Sequence, residues 1–362
     1  MTVYCAAMRR AVTRSAMALV AAALLASASA HAQTQRGEDQ PVAVVAGKFI
    51  PVGGGAQLPV FTSHPLDAPR PDIDAAVIVI HGLYRDADVY HANMVGAVRG
   101  AEAAGAGVRT STTIVIAPQF LIDRDADRHR LGGDVAYWTA NGWKGGEPAL
   151  APSAHPSSFT ALDALIGLLA DRQRFPALRR IVVAGHSAGA QVVHRYAVVG
   201  AASADAARAA IEIRYVVANP SSYLYVTADR LTDDGRGFAP YDRSRCQRFD
   251  DYRYGLGNPP EYVARRPVER MLGEYAARHV VYLLGTADTD PHHRVLDRSC
   301  AAMAQGPHRL ARGEAYHRYI LGVLGSDAAR NHRKMLVEGV GHDNAGMFQS
   351  PTGRAALFEP WP

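Results

Sequence analysis

Six short apolar runs, rich in Val and Ile and separated by stretches with helical character, most limit how this chain can fold. The runs are AAVIVI (75–80), TTIVIA (112–117), RIVVA (180–184), IRYVVA (213–218), VVYLL (280–284) and MLV (335–337). Nearly continuous apolar runs are typical of strands buried on both faces of a parallel sheet. Their alternation with helical stretches predicts an α/β fold with a doubly wound, mostly parallel sheet.

The segments between and before these runs complete the predicted domain. Helices are expected over residues 91–104, 158–172, 188–199 and 308–324. Residues 42–62, interrupted by three consecutive glycines, are expected to form a leading hairpin. With 362 residues, of which 48% are hydrophobic, the chain is long enough to bury a core of this size.

Residues 219–273 interrupt the alternation of strands and helices. They contain no convincing strand but hold eight Tyr and Phe residues among many charges, prolines and glycines. A connection of this length inside a compact domain usually has a function. The aromatic content predicts an ordered lid inserted in the main domain.

The first 32 residues have the organisation of a secretory signal peptide. Arg9, Arg10 and Arg14 precede the uncharged run AMALVAAALLASASA, and Ala30-His31-Ala32 is a small-x-small cleavage sequence. The strongly apolar part, residues 16–26, is too short to cross a bilayer comfortably, which argues against a membrane anchor. Cleavage after Ala32, one domain over residues 33–362 and a periplasmic or secreted location are expected.

Removal of the first 32 residues on export changes the net charge and the number of cysteines of the protein. Three of the 39 Lys and Arg lie in the removed segment, which leaves 36 against 34 Asp and Glu, a net charge of +2. This balance does not indicate binding to nucleic acid or to a membrane surface. The two remaining cysteines, Cys246 and Cys300, meet an oxidising compartment and are expected to form one disulfide.

Residues 185–189 read Gly-His-Ser-Ala-Gly, directly after RIVVA and directly before a helical run. In this context G-x-S-x-G is a nucleophile elbow, a tight turn that presents the serine hydroxyl to a histidine. Gly185 and Gly189 leave room for the close approach of backbone segments that the turn requires. Ser187 is therefore the predicted nucleophile, and His186 is expected to pack rather than to act as the base.

These residues resemble the α/β-hydrolases, the superfamily of serine esterases and lipases, from about residue 75 to the C-terminus. His81-Gly82-Leu83 follows AAVIVI and resembles the HG-x motif of the superfamily. The resemblance implies an oxyanion hole formed by the backbone N–H groups of Leu83 and Ala188. Val340-Gly341-His342-Asp343 follows MLV as the histidine loop of the superfamily does, which implies that His342 is the general base.

The run GTADTDPHHRVL, residues 285–296, follows VVYLL, where the superfamily has the acid of its triad. The usual spacing from the glycine implies Asp288, and Asp290 is the alternative. Read alone, Asp288, Asp290 and His292 also suggest a metal site. Pro291 constrains that run and no H-E-x-x-H motif or comparable set occurs elsewhere, so neither a metal nor a cofactor is expected.

The resemblance also implies that the segment after TTIVIA lines the mouth of an active site. Trp138 and Trp143 in that segment, Tyr223 in the expected lid and Tyr84 are the predicted substrate contacts; packing of the tryptophans on the core is the alternative. The implied function is an exported serine hydrolase that cleaves small-molecule or polymeric carboxylic esters. Amide, peptide or polyester substrates for the same triad, or a binding module without activity, remain alternatives.

Overall fold

The computed structural model describes residue 37 and residues 40–361, and the predicted signal peptide over residues 1–32 lies outside them. The strands of the described part are β1 (Lys48–Pro51), β2 (Gln57–Thr62), β3 (Ala75–Ile80), β4 (Thr113–Pro118), β5 (Leu121–Ile122), β6 (Tyr137–Trp138), β7 (Arg180–His186), β8 (Glu212–Ala218), β9 (Asp229–Leu231), β10 (Phe238–Pro240), β11 (His279–Gly285) and β12 (His332–Val337). The α-helices of the described part are α1 (Ala87–Ala103), α2 (Asp123–His129), α3 (Ser158–Ala170), α4 (Ala188–Val199), α5 (Ser203–Arg208), α6 (Glu261–Ala264), α7 (Val268–Ala277), α8 (Cys300–Met303), α9 (Arg309–Asn331), α10 (Asn344–Gln349) and α11 (Pro351–Phe358).

Eight of these strands form one central sheet in the order β1-β2-β4-β3-β7-β8-β11-β12. The first two strands are an antiparallel hairpin, and β2 also runs antiparallel to β4. Every further neighbouring pair in the sheet is parallel. The predicted mostly parallel sheet and its leading hairpin are therefore confirmed.

Helices cover both faces of the sheet, which explains why the strand sequences are apolar almost throughout. Along β3, Val77 and Val79 belong to one core cluster, whereas Ile78 and Ile80 belong to the other. Helices α1, α10 and α11 contribute to the first cluster, and α3, α4 and α9 contribute to the second. The burial of apolar surface on both faces holds the three layers together.

Strand β12 and helix α9 are longer than the sequence predicted. Strand β12 begins at His332 rather than Met335, because the polar residues before Met335 continue the pairing with β11. This strand lies at the edge of the sheet and alternates between buried and more exposed side chains, so its first half shows no apolar run. Helix α9 extends past the predicted residue 324 and is interrupted at Gly325, which has a φ of 69°.

The 219–273 segment was expected to contain no strand, and that prediction is wrong. It includes the antiparallel pair β9 and β10, whose three-residue strands are too short to show a periodicity in the sequence. Tyr223, Tyr225 and Phe249 of this segment are fully buried, so these rings pack in the protein interior. A role of the segment as a lid stays a prediction.

Cys246 and Cys300 form a disulfide with their Cα atoms 5.7 Å apart, which confirms the predicted pairing. The bridge joins the 219–273 segment to the first residue of α8. Cys246 packs beside Phe249 and Ala301 in a small apolar cluster of its own. The bridge therefore lies in a small cluster that is separate from the two main cores.

Replacement of both cysteines by serine is expected to lower the free energy of unfolding by up to about 4 kcal/mol. The bridged residues are 54 apart in the sequence, and the figure is the loop-closure entropy that the bridge removes from the unfolded chain. Denaturant unfolding of the two proteins measures the difference. Alkylation of the native wild type followed by intact mass is the control, and two reactive thiols would contradict the bridge.

Candidate active site

Ser187 lies in the tight turn between β7 and α4, with φ 60° and ψ −120°. This conformation is unfavourable for a residue with a Cβ and is kept only where the surroundings enforce it. The two flanking glycines are part of that enforcement: a Cβ on Gly185 would lie 2.4 Å from the backbone of Gly189, and one on Gly189 would lie 2.2 Å from Ile80 O. The turn has the geometry that the G-x-S-x-G pattern predicts.

Three side chains from separate parts of the chain meet at one edge of the sheet. Ser187 follows β7, Asp288 follows β11 and His342 follows β12, and the carboxyl ends of these parallel strands lie at the same edge. Ser187 Oγ is 2.8 Å from His342 Nε2, and His342 Nδ1 is 2.7 Å from Asp288 Oδ2. A hydroxyl, an imidazole and a carboxylate thus form one continuous hydrogen-bonded chain.

Asp288, and not Asp290, faces the imidazole of His342. Asp288 is 3% exposed, whereas Asp290 is an exposed residue whose carboxylate accepts the backbone N–H of His292 at 2.8 Å. The second aspartate therefore stabilises the turn of its own loop. The sequence did not show which of the two aspartates contacts His342, and the structure shows that Asp288 does.

The electrostatic surroundings keep this carboxylate ionised and this imidazole neutral. Burial lowers the pKa of His342 to about 4, although the hydrogen bond to Asp288 opposes the effect. Burial by itself raises the pKa of Asp288, but the hydrogen bond to His342 and the charge of Arg309 outweigh it and hold that pKa below its usual value. At neutral pH Nδ1 then carries the imidazole proton, and Nε2 accepts the proton of the serine hydroxyl.

The two predicted oxyanion donors belong to two different turns, the one at Ser187 and the one after β3. Ala188 is the first residue of α4, so its N–H has no acceptor within the helix, and the positive end of the helix dipole lies there. Leu83 lies in the turn after β3. His81, which is fully buried, orders that turn: Nδ1 donates to Gly82 O at 2.8 Å, and Nε2 accepts from Phe120 N at 2.9 Å.

A buried ion pair, which the sequence did not predict, contacts the turn after β3 that contains Leu83. Arg85 donates to the carboxylate of Asp125 at 2.7 Å and to Leu83 O at 3.2 Å. Asp125 is fully buried and also accepts the backbone N–H groups of Val42 and Ile122. It lies in the run DRDADRHR, whose composition is typical of a solvated surface, so the sequence carries no signal of this contact.

Two further histidines pack against His342. The ring centroid of His186 lies 4.5 Å from that of His342, and the ring of His293 lies 5.0 Å away in an edge-to-face arrangement. Burial lowers the pKa of His186 well below its usual value, so a neutral ring lies beside the imidazole. His186 packs, as expected, but it packs on His342 and approaches the hydroxyl of Tyr90 at 3.2 Å.

Three of the four predicted substrate contacts do not reach the surface, and those predictions are corrected. Trp138 and Trp143 are fully buried and pack around Phe120. Tyr223 is fully buried and stacks on Tyr316 at 4.6 Å. Large aromatic side chains bury much apolar surface, and here that packing contribution places them in the core rather than in a cleft.

Tyr84 is the one of the four predicted contacts that is not fully buried. It is partly exposed, directly follows Leu83, and accepts a hydrogen bond from Arg294. The guanidinium of Arg294 also lies 5.6 Å from the centre of the Tyr84 ring. Because Arg294 follows His293, this pair connects the two loops that border Ser187 and His342.

Neither a metal centre nor a membrane-spanning helix is found in the residues that the structure describes. Within residues 40–361, no three His, Cys, Asp or Glu side chains are grouped so that they could hold a metal ion. None of the helices in the same part of the chain is long and apolar enough to cross a bilayer.

Comparison with known proteins identifies the fold. No family model and no curated protein sequence matches the chain. Among solved structures, poly(aspartic acid) hydrolase-1 from Sphingomonas sp. KT-1 is similar with a TM-score of 0.56 and 23% identity, over 86% of this chain and 97% of that one. A poly(3-hydroxybutyrate) depolymerase from Bordetella parapertussis is similar with a TM-score of 0.52 and 20% identity, over 82% and 83% of the two chains.

These likenesses concern the fold of the chain. The fold has an eight-stranded central sheet with flanking helices. The chain has the α/β-hydrolase fold, as the resemblance in its sequence implied.

Proposed function

We propose that the protein is an exported serine hydrolase that cleaves carboxylic esters through an acyl-enzyme intermediate. The observation that carries the proposal is the chain of hydrogen bonds from Ser187 Oγ through His342 to Asp288, with lengths of 2.8 and 2.7 Å. A serine hydroxyl is a poor nucleophile unless a base accepts its proton, and Nε2 of His342 is within reach to do so.

In the proposed first half-reaction, Ser187 Oγ attacks the ester carbonyl carbon while His342 Nε2 takes the hydroxyl proton. The carbonyl oxygen becomes an oxyanion, which the backbone N–H groups of Leu83 and Ala188 stabilise. The tetrahedral intermediate then expels the alcohol, which receives the proton from His342. Asp288 holds the imidazole in the required tautomer and stabilises its positive charge.

In the second half-reaction, water replaces the alcohol. His342 takes a proton from water as it attacks the acyl carbon, and the resulting intermediate collapses to release the carboxylic acid. Ser187 regains its proton from His342, so the enzyme is unchanged. The strained backbone of Ser187 holds its Oγ atom on the outside of the turn in both half-reactions.

Ester substrates are proposed ahead of amides on chemical grounds. An alkoxide leaves a tetrahedral intermediate more easily than an amide nitrogen does, so a site able to cleave an amide also cleaves the matching ester. Polymeric substrates are a specific second candidate, because the two similar structures are a poly(3-hydroxybutyrate) depolymerase and a poly(aspartic acid) hydrolase. The first of those polymers is a polyester and the second is a polyamide.

Export is part of the proposal and has two sources of support. The organisation of residues 1–32 is that of a signal peptide, and Cys246 and Cys300 form a disulfide, which persists in oxidising compartments. A periplasmic or secreted enzyme meets its substrate outside the cytoplasm. Edman sequencing of the exported protein should give a first residue of Gln33.

The proposed function is tested by hydrolysis of an ester series graded in acyl length and alcohol size, beside matching amides and the two polymers named above. We expect the wild type to hydrolyse esters and the Ser187→Ala variant to lose that activity. A serine-reactive fluorophosphonate separates this proposal from a binding module without activity. Absence of labelling, with labelling of a control esterase in the same tube, would favour the binding module.

We expect the acid limb of the kcat/KM profile to lie well below the ordinary histidine value of about 6.5. Burial lowers the pKa of His342 to about 4, and only its neutral form accepts the serine proton. Activity is therefore present above that pKa and is lost as the pH falls through it. Initial rates with a soluble ester, measured with tryptophan fluorescence as a control for folding, give the profile; a limb centred at or above 6.5 would contradict the expectation.

A further inference from the structure

We propose that Arg309 is a positioning residue for this hydrolysis, which keeps Asp288 ionised and oriented toward His342. The inference rests on the proposed function, because it assigns a role within the same site. Arg309 is the first residue of α9 and is 21 residues from Asp288 in the sequence. Nothing in the local sequence around it indicates a part in the site.

The guanidinium of Arg309 is fully buried and is held by three separate partners. Nη1 donates to Asp288 Oδ1 at 3.3 Å, Nε donates to Ser221 Oγ at 3.2 Å, and Nη2 donates to Val295 O at 2.8 Å. The other oxygen of the carboxylate, Oδ2, accepts from His342. Asp288 is thus clamped between a fixed cation on one side and the imidazole on the other.

This clamp is needed because the carboxylate of Asp288 is almost completely removed from water. An ionised carboxylate in such a place is costly unless it is paired and hydrogen-bonded. Among residues 40–361, the hydrogen bonds to this carboxylate come from the side chains of His342 and Arg309. Without the guanidinium, one neutral imidazole would be its single remaining partner.

The position of Arg309 in its helix argues that the contact has a function. A cation in the first turn of a helix lies at the positive end of the helix dipole, where it is unfavourable. The loop of the acid is also attached to this helix by its backbone, since Leu310 N donates to Asp288 O at 3.2 Å. Residues that break a local rule in this way are expected at functional sites.

Arg312, one turn later in α9, provides a matched control. Its side chain is also fully buried. It donates to the carbonyl groups of Gly306, at 2.8 Å, and Asp297, at 2.9 Å, and to that of Ser221, but not to Asp288. Loss of either arginine therefore removes a buried cation and several hydrogen bonds, but only Arg309 contacts the carboxylate of the site.

The charge of Arg309 also affects the pKa values of both Asp288 and His342. The pKa of His342 is lowered mainly by burial and further by this guanidinium, and the pKa of Asp288 is lowered by the same charge against the effect of burial. The titratable or charged groups that face His342 are Asp288 and His293 from the loop after β11, His186 from the end of β7, and Arg309 from α9. Asp290 lies near Arg309 and acts on it through its charge.

The test compares kcat, KM and pH profiles of Arg309→Gln, Arg309→Lys and Arg312→Gln with those of the wild type. For Arg309→Gln we expect a loss of about 10- to 100-fold in kcat with KM nearly unchanged. Because removal of a nearby cation raises both pKa values, we also expect the acid limb of kcat/KM to move up by about 1 pH unit or more. Arg309→Lys keeps the charge and should return the limb toward the wild-type position, whereas Arg312→Gln should not move it.

A double-mutant cycle with Asp288→Asn shows whether Arg309 acts through Asp288. In that background, Arg309→Gln should cause no further loss of kcat, because the carboxylate it supports is gone. The double variant contains neither of the two buried charges, so it can be measured even if the single Arg309→Gln variant does not fold. In that case the cycle is repeated with Arg309→Lys in place of Arg309→Gln, in the wild-type and the Asp288→Asn backgrounds. Losses that simply multiply would overturn the inference, as would a pH shift of the same size in Arg312→Gln.

The outcome also distinguishes this inference from the proposed function. A wild type that hydrolyses no ester, or a Ser187→Ala variant as active as the wild type, would refute the proposed function. A wild type that needs Ser187, together with an Arg309→Gln variant that keeps the wild-type kcat and pH profile, would refute the role of Arg309 alone.

Discussion

Replacement of Ser187 by alanine is expected to lower kcat for ester hydrolysis by about 10⁶-fold, with the fold unchanged. The hydroxyl oxygen is the atom that attacks the carbonyl, and no other hydroxyl is hydrogen-bonded to His342 in residues 40–361. Alanine keeps the Cβ of serine, so the strained turn meets no new steric demand. The measurement is the steady-state rate on a soluble ester at enzyme concentrations high enough to detect the residual activity.

A buried serine away from the site is the control for this experiment. Ser158, the first residue of α3, is fully buried, and its hydroxyl makes no hydrogen bond within the described residues. Ser158→Ala should keep the wild-type kcat and should still react with a fluorophosphonate. Equal ester hydrolysis by the wild type and Ser187→Ala, or labelling that persists in Ser187→Ala, would remove Ser187 from the mechanism.

Replacement of Asp288 by asparagine is expected to lower kcat on the order of 10⁴-fold. The amide of asparagine can donate a hydrogen bond to Nδ1 of His342, which favours the tautomer with the proton on Nε2. In that tautomer the imidazole cannot accept the proton of Ser187 Oγ. The geometry of the site is nearly unchanged, so the loss should appear in kcat more than in KM.

Asp290→Asn is the matched control, because it makes the same chemical change two residues away. The Asp290 carboxylate is exposed and accepts the N–H of His292, a role that the carbonyl oxygen of asparagine can fill. We therefore expect wild-type kinetics from this variant. A severe loss in Asp290→Asn with an active Asp288→Asn would exchange the two assignments. Near-ultraviolet circular dichroism of each variant checks that the tertiary structure is retained.

Much of the sheet could be predicted from the sequence because its strands are buried on both faces. The apolar runs at β3, β7 and β11 reflect this burial directly, and the predicted α4 agrees with the observed helix at both ends. Only the second half of the edge strand β12 was predicted, and the pair of β9 and β10 was not predicted at all. Their backbone hydrogen bonds depend on neighbouring strands, and their side chains do not repeat an apolar pattern over a sufficient length.

The sequence by itself determined that Ser187 stands in a tight strand-to-helix turn. Glycines on both sides of a serine, an apolar strand before it and a helix after it are local features, and local sterics decide the backbone conformation of such a turn. The order of Ser187, the aspartates after VVYLL and His342 along the chain likewise needed no structure. These features restrict the candidate acid to two residues, Asp288 and Asp290.

Only the tertiary structure decided between those residues and placed the groups that support them. His342 lies 54 residues from Asp288 and 155 from Ser187 in the sequence, and the sheet brings all three to one edge. The same long-range packing buried Trp138 and Trp143 and brought Arg309 to Asp288. Short-range patterns report backbone conformation and burial, whereas the direction in which a carboxylate or guanidinium points depends on partners that are distant in the chain.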